Sequence, residues 1–256
     1  GDGGFGDNLQ FCRYIPMVVA RGARVVLESR PELTRLLAAI PGVMQCINLD
    51  DAVPDCDYQI PLMSLPRIFG TTLESVPCEI PYISIPDGLI PDQRIVVSEG
   101  FKVGIAWAGS PTREDNHKRS IGLKKLVPLL GVSGVVFFSL QVGPGQEELG
   151  GLRTGHQLVD ITDGFSDFAD TAAAMTALDL IISVDTSVLH LAGALGYPAW
   201  GLMSLPTGFL WMNGRVDSPW YPTIRLFHQT SPGTWDNVVT EVRDALSQMA
   251  ASRATN

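Results

Sequence analysis

Positive charge is scarce in this sequence. Its 256 residues include 18 Lys and Arg against 27 Asp and Glu, which gives a formal net charge of −9. A chain this acidic has no long-range attraction for nucleic acid or for anionic membranes, so neither is a leading candidate partner. An anionic ligand would have to be held locally, by a few placed cations and by backbone amides.

Long apolar runs and metal-type cysteine spacings are also missing. No stretch approaches the roughly 20 apolar residues that span a bilayer, and the start carries no signal-peptide pattern. The four cysteines, Cys12, Cys46, Cys56 and Cys78, lie in the first third without a CxxC or Cys/His cluster. We expect no metal site, a cytoplasmic location, and reduced, mostly buried thiols, with a disulfide as the lesser alternative.

What is present is an alternation of short apolar runs and helical patterns on both sides of a proline-rich segment, residues 77–100. This predicts an α/β protein with two doubly wound, Rossmann-like units facing a cleft, over residues 1–98 and 99–256. In the first unit the pattern predicts a helix over Asp7–Arg21 with a capping box at Asp7 and Gln10, strands over Ala23–Leu27, Gln45–Asn48 and Tyr58–Leu62, and a helix over Glu32–Ile40.

The second unit has the more regular alternation. Its predicted strands are Lys102–Trp107, Val135–Gln141, Leu158–Ile161, Leu180–Val184 and Ala199–Met203. Its predicted helices are Ile121–Leu130, Asp170–Leu178 with Asp170 as its cap, Thr186–Leu195, and a closing helix over Trp235–Ala250.

The most informative stretch runs from Ile181 to Gly193, where an apolar strand leads directly into a helix. A helix N-terminus carries unpaired N–H groups and a positive dipole end, so it is a natural anion site. Asp185 can cap this helix, Thr186 and Ser187 can offer hydroxyls, and His190 lies on the same face as Thr186. The stretch indicates a phosphate-bearing ligand; an ordinary capped helix with a buried His is an equally good interpretation of these residues alone.

The opening glycines are the second feature. Gly1, Gly3 and Gly6 satisfy G-x-G-x-x-G, and Glu28 follows at the spacing of a dinucleotide fingerprint, but the fingerprint requires a preceding strand. A flexible loop that lets a ligand approach the backbone is the safer interpretation. Asp7 ends this loop, where it can cap a helix and also present a carboxylate at the mouth of a cleft.

Cations are concentrated in the loop that follows the strand Lys102–Trp107. Lys118 and Arg119 lie in this loop, after a strand end where doubly wound sheets bind ligands. Either could neutralise a diphosphate, and Arg119 can bind two oxygens at once. The alternative is a solvated loop whose cations are balanced by neighbouring acids.

Two other patterns are weaker. Asp55-Cys56-Asp57 matches the Asp-x-Asp of metal-dependent sugar transferases, but it follows Pro54 and is better explained as a polar turn. Asp185, Ser187 and His190 are residue types of a hydrolase triad, yet they lie too close on one helix start to orient one another.

Together the motifs resemble a known family. The chain is similar to the glycosyltransferase domain found behind tetratricopeptide repeats in many bacterial proteins, which is related to the heptosyltransferases of glycosyltransferase family 9 and has the GT-B fold. The resemblance covers almost all 256 residues and rests on motifs that occur in one order: Gly4–Tyr14, Trp107–Ser110, Ser139–Gln141, Asp167–Ala172, Ser183–Gly193 and Ser218–Pro222.

The resemblance implies an inverting, metal-independent and cofactor-free transfer of a sugar from a nucleotide-sugar donor to an acceptor hydroxyl. Asp7 matches the carboxylate taken as the base, behind the glycine loop of Gly3, Gly4 and Gly6. The positions that match the donor site are Ser110, Lys118 or Arg119, Gln141 near the nucleoside, Asp185, Thr186, Ser187 and His190.

The family also implies partners. Repeat-linked relatives modify proteins, so a protein acceptor is favoured over a saccharide or lipid one. The family has a strand before its glycine loop and this chain starts at the loop, so we expect a fragment whose parent carries a repeat region. Two other functions stay open: a non-catalytic sugar-nucleotide or protein-binding module with the same fold, and an NAD-linked oxidoreductase that uses the opening glycines.

Overall fold

The computed structural model describes residues 3–111, 114–152 and 158–254. The residues of the predicted N-terminal unit, 3–98, contain two parallel strands. Its elements are α1 (Phe5–Phe11), α2 (Ile15–Val19), β1 (Val25–Ser29), α3 (Pro31–Leu37), β2 (Val43–Asn48), α4 (Leu65–Ile68) and α5 (Gln93–Val96). Strands β1 and β2 pair in parallel, which requires the crossover that α3 supplies.

The C-terminal unit contains the larger sheet. Its elements are β3 (Phe101–Ala106), α6 (Asn116–Arg119), α7 (Leu123–Leu130), β4 (Val135–Ser139), β5 (Leu158–Asp160), α8 (Phe168–Met175), β6 (Leu180–Val184), α9 (Ser187–Ala194), β7 (Ala199–Met203), β8 (Ile224–His228) and α10 (Asp236–Ala254). All residues of β6 and β7 are buried, as expected for parallel strands covered on both faces.

The order of the strands determines where a ligand can bind. The six parallel strands lie in the order β5-β4-β3-β6-β7-β8. The chain therefore starts in the middle of the sheet at β3, builds to one edge, and returns to build the other side from β6. The loops after β3 and β6 leave in opposite directions, and the crevice between them is the usual ligand site of such sheets.

Two apolar clusters hold the fold together. One lies between the sheet and the pair α7 and α10, with Leu126 and Val242 among its fully buried members. The other lies on the opposite face, where α8 and α9 continue into the N-terminal unit through residues such as Leu189 and Leu9. Because one core crosses from unit to unit, the division at residue 98 stays a prediction.

The predicted fold class, α/β with parallel sheets, is confirmed, but several elements differ. Tyr58–Leu62 forms no strand: Tyr58 is 93% exposed and a 3-10 turn begins at Leu62, so a strand there would have had no core to cover. The predicted helix over Asp7–Arg21 is divided, since a 3-10 turn follows α1 and α2 begins at Ile15 with Pro16 in its first turn. Strand β8 was not predicted because Arg225 and His228 interrupt its apolar pattern.

Helix caps also differ from the predictions. The capping box of α1 is formed by Gly4 and Asp7, not by Asp7 and Gln10: Asp7 is the third residue of the helix and accepts from the Gly4 N–H. The cap of α8 is Asp167, whose carboxylate accepts from the backbone of Ala169 and Asp170. Asp170 is therefore inside that helix.

All four cysteines are free thiols. Cys12 is buried and Cys46 half-buried, but Cys56 and Cys78 are exposed, so the expectation of mostly buried thiols was wrong for these two. Among the helices described, none has the length and apolar character to cross a membrane.

Candidate functional site

A cleft of ≈ 550 Å³ lies at the switch point of the larger sheet. The loops after β3, β4, β6 and β7 form one wall, and the first turn of α1, residues Gly4 to Asp7, forms the facing wall. Both units contribute, and the volume is in the range of pockets that hold small-molecule ligands.

The N-terminus of α9 opens into this cleft. Thr186 is the N-cap, and Ser187 and Val188 follow in the first turn; all three line the cleft. The Thr186 carbonyl accepts from the N–H groups of Leu189 and His190, whereas the first N–H groups of a helix have no partner within it. The first turn of α9 therefore presents donors and a positive dipole end to a ligand.

Asp185 does not cap α9, contrary to the prediction. Its Oδ1 accepts from Trp211 Nε1 at 2.8 Å, and its Oδ2 forms an ion pair of 2.8 Å with Arg119. Arg119 also donates to the backbone carbonyl of Asp185. Because both carboxylate oxygens of Asp185 bind protein groups, Asp185 positions Arg119 and Trp211 in the cleft lining.

The structure separates the two candidate cations. Arg119 lines the cleft, its side chain is 13% exposed, and its buried Nε has no protein partner. Lys118 is exposed and lies outside the cleft lining. Ser110 does line the cleft, at its exposed rim. Of the two cations predicted as alternatives, the geometry favours Arg119.

Gln141 lines the cleft, and its side-chain amide is bound to backbone groups on both loops. Its Oε1 accepts from the backbone N–H groups of Trp107 and Ala108, both at 2.9 Å. Its Nε2 donates to the carbonyls of Ala108 and Pro144. Because the whole amide is bound to backbone, Gln141 fastens the loop after β3 to the loop after β4.

The glycine loop brings Asp7 to the facing wall. Gly3 has φ +90, and a Cβ there would lie 2.8 Å from Asp7 Oδ2, so the loop requires glycine at this point. Oδ2 of Asp7 accepts from the Gly4 N–H at 2.8 Å. Asp7 is half-buried and lines the cleft. Gly1 of the predicted fingerprint lies outside the described residues.

His190 lies beneath the cleft, where α1 and α9 meet. Its Nδ1 lies 2.9 Å from the Tyr221 hydroxyl, and its Nε2 lies 3.9 Å from Asp185 Oδ1. Burial lowers the pKa of His190 to about 4, with Arg13 and Arg119 acting in the same direction and Asp185 and Asp7 opposing it. The imidazole is therefore neutral at pH 7 and supplies hydrogen bonds rather than charge.

Some residues of the cleft were not predicted as site residues. They include five aromatic residues: Phe5, Phe165, Phe168, Phe209 and Trp211. Nothing in the sequence indicates that the Trp211 N–H binds Asp185. Asp55 and Asp57 lie in an exposed irregular segment outside the cleft lining. Among the residues that the structure describes, no cluster of His, Cys, Asp and Glu is suited to a metal ion.

No protein-family model matches this chain. Protein FlbA of Caulobacter vibrioides is 31% identical over 158 residues, which is 60% of this chain. That match covers 26% of FlbA, so the chain spans about a quarter of the length of this relative.

Solved structures share the fold over nearly the whole chain. The ADP-heptose LPS heptosyltransferase II of E. coli has a TM-score of 0.62 and 16% identity, covering 99% of this chain and 98% of its own. E. coli heptosyltransferase WaaC, solved with ADP, has a TM-score of 0.57 and 13% identity, covering 98% and 97%. TibC, an iron-containing dodecameric glycosyltransferase of enterotoxigenic E. coli, has a TM-score of 0.57 and 15% identity. The match covers 93% of this chain and 64% of TibC. The chain has the GT-B-like fold of these proteins.

Proposed function

We propose that this chain is a glycosyltransferase that moves a sugar from a nucleoside-diphosphate donor to an acceptor hydroxyl, with inversion and without a metal ion. One observation carries the proposal: the carboxylate of Asp7 lies on one wall of a single cleft, and the N-terminus of α9 and the cation Arg119 lie on the other. These are the two halves that the reaction needs, a base and an anion site.

The donor diphosphate would bind at the first turn of α9. Ser187, Val188 and Arg119 line the cleft there, so the first N–H groups of α9 and a guanidinium would be the donors. When the bond between the anomeric carbon and the diphosphate oxygen breaks, the departing oxygen takes the electron pair and becomes more negative. Fixed donors and a cation stabilise that charge as it develops, and they do so without rearranging.

Asp7 would accept the proton of the acceptor hydroxyl. Its Oδ2 is held by the Gly4 N–H, which orients the carboxylate from the backbone. The acceptor oxygen forms its bond to the anomeric carbon on the face opposite to the departing diphosphate, so the configuration inverts. The proton ends on Asp7, and the products are the glycosylated acceptor and a nucleoside diphosphate.

The wider setting is part of the same proposal. The N-terminal unit would receive the acceptor and the C-terminal unit the donor, since Asp7 and α9 belong to these units respectively. A protein acceptor, a cytoplasmic location and a longer parent chain with a repeat region are proposals that rest on the resemblance to repeat-linked glycosyltransferases.

Thermal unfolding of the protein in the presence of each member of a panel of nucleoside diphosphates and nucleotide sugars tests the proposal. A ligand at 100 times its dissociation constant should raise the free energy of unfolding by about 2.7 kcal/mol. NAD belongs in the panel, because the oxidoreductase alternative predicts that NAD alone stabilises the protein. A flat response to every nucleotide contradicts the proposal.

A binding module without turnover is the second candidate, and one observation favours it. Asp7 already has a structural role as the partner of the Gly4 N–H in the capping box. A module would bind nucleotide sugars at α9 yet release no nucleoside diphosphate with any acceptor, including an extract of acceptor proteins.

A further inference from the structure

Arg13 is a buried cation without a carboxylate partner among its described contacts. The residue is 4% exposed. Its Nε donates to the Gln10 carbonyl at 2.8 Å, and its Nη1 donates to the carbonyls of Pro77 and Trp220 at 2.8 and 2.7 Å. Its Nη2 donates to the Tyr82 hydroxyl at 3.0 Å. All of these acceptors are neutral, so the positive charge is not cancelled.

Aromatic rings surround this charge. The guanidinium carbon lies 4.5 Å from the ring centroid of Tyr82, 4.6 Å from that of Tyr221 and 5.3 Å from that of Trp220. Ring faces attract cations, and this attraction together with the carbonyl oxygens offsets the cost of removing the charge from water. A guanidinium stays protonated in a protein, so the charge is permanent.

Tyr221 connects this charge to the cleft. Its hydroxyl lies 2.9 Å from His190 Nδ1. Burial raises the pKa of Tyr221 to about 12, so the hydroxyl keeps its proton. A cation next to the phenol makes the hydroxyl a stronger donor and a weaker acceptor, which favours donation from Tyr221 to an unprotonated Nδ1.

The opposite edge of the imidazole faces negative charge. His190 Nε2 lies 3.9 Å from Asp185 Oδ1 and next to Gly6, beside Asp7. A neutral imidazole is a dipole whose positive end is its N–H. Cationic Arg13 lies behind Nδ1, whereas the carboxylates of Asp185 and Asp7 lie on the Nε2 side, where Arg119 offsets part of their charge by pairing with Asp185 Oδ2. Two carboxylates against one cation leave that side negative, so the dipole is most stable with the proton on Nε2.

We infer that Arg13 is a positioning residue which, through Tyr221, holds His190 as the neutral tautomer with its proton on Nε2. His190 then presents a donor at the junction of Asp7, Asp185 and the first turn of α9. The identity of the acceptor rests on the proposed function: it would be an oxygen of the diphosphate or of the transferred sugar. His190 would thereby orient the donor without serving as an acid.

Nitrogen-15 NMR of histidine-labelled protein tests this inference without requiring any transfer activity. Chemical shifts of the two ring nitrogens distinguish the Nε2–H tautomer, the Nδ1–H tautomer and the protonated ring. The wild-type protein should show His190 as a single Nε2–H tautomer from about pH 5.5 to pH 8. An Nδ1–H tautomer or a protonated ring in the wild type overturns the inference.

Variants then assign the cause. Tyr221→Phe keeps the ring and removes the hydroxyl, and Arg13→Gln removes the charge; both should give a mixture of tautomers. Arg13→Lys keeps the charge and should retain the single tautomer. Tyr14→Phe is the matched control, because the Tyr14 hydroxyl contacts Thr71 instead of His190. If Arg13→Gln does not fold, Tyr221→Phe decides, and an unchanged tautomer in Tyr221→Phe contradicts the assignment.

The same measurement separates this inference from the proposed function. A fixed Nε2–H tautomer in a protein that binds no nucleotide would retain the role of Arg13 and refute the sugar transfer. Nucleotide binding by a wild-type protein with a mixture of tautomers would refute the role of Arg13 and leave the proposed sugar transfer standing.

Discussion

Gly6 of α1 and His190 of α9 touch so closely that a Cβ on Gly6 would lie 2.7 Å from His190 Cδ2. The contact sets the spacing between the helix that carries Asp7 and the helix whose N-terminus faces it. It also explains why a small residue is needed in the first turn of α1, apart from any contact with a ligand.

Gly6→Ala should therefore separate α1 from α9. Overpacking of a tight contact costs about 1–3 kcal/mol in the free energy of unfolding, and urea denaturation measures it. Gly131→Ala is the control, because its nearest neighbour would be a carbonyl oxygen at 3.9 Å in ordinary contact. Equal stability of the two variants would mean that α1 and α9 are not in fixed contact.

Gln141→Ala should destabilise the fold more than it affects ligand contacts. It leaves the N–H groups of Trp107 and Ala108 without their partner, and each unsatisfied buried group costs about 1–3 kcal/mol. Thermal unfolding should show a large loss for Gln141→Ala and almost none for the control Gln93→Ala, which is exposed in α5. If the Gln141→Ala protein is stable and loses only nucleotide binding, Gln141 contacts the nucleoside directly.

Arg119 and Lys118 are neighbours in sequence with different surroundings, which makes them a matched pair. Arg119→Gln should weaken binding of a nucleoside diphosphate by about 10- to 100-fold, since hydrogen bonds to charged groups contribute about 1.5–3 kcal/mol. Lys118→Gln should bind like the wild type, because Lys118 lies outside the cleft lining. Calorimetric titration measures both, and the reverse order of effects would contradict the placement of the diphosphate.

The pH dependence of stability should carry the contribution of His190. Its pKa is lowered to about 4 in the folded state, from 6.5 in the unfolded chain. Between these values the unfolded state binds the proton and the folded state does not, so stability present above pH 6.5 is lost as the pH falls towards 4. The loss attributable to His190 is on the order of 3 kcal/mol.

Urea denaturation between neutral and mildly acidic pH measures this effect. His190→Gln should show a flatter decline than the wild type, whereas His117→Gln, at an exposed position, should keep the full slope. Identical slopes for the wild type and His190→Gln would mean that the imidazole is charged or accessible in the folded protein.

These features divide into those that the sequence predicts and those that it does not. Local pattern was enough for the strand and helix around Ser183 to His190, because an apolar strand and its following helix are encoded by neighbours. It was enough for the glycine loop before Asp7 as well. Local pattern also singled out Asp7 and the N-terminus of α9, and the structure places both at one cleft.

What local pattern missed are contacts between distant residues. Asp185 binds Arg119 across 66 positions, and Arg13 binds Trp220 across 207. Asp167 is the residue directly before α8 and caps it, whereas α9 starts one residue later than an Asp185 cap requires and has Thr186 as its N-cap. The Asp185 carboxylate binds Trp211 and Arg119 instead, and these partners come from other elements.

Asp7→Asn gives the most direct test of the central claim, that Asp7 is the base facing a nucleotide-sugar site. An Asn oxygen can still accept from the Gly4 N–H, so the capping box and the free energy of unfolding should be preserved, whereas Asp7→Ala should lose about 0.5–2 kcal/mol.

The amide of Asn cannot take a proton from an acceptor hydroxyl. In a transfer assay with the nucleotide sugar that the binding panel identifies, Asp7→Asn should bind the donor as the wild type does and release nucleoside diphosphate about 10²–10⁴-fold more slowly. Transfer at the wild-type rate by Asp7→Asn would contradict the claim.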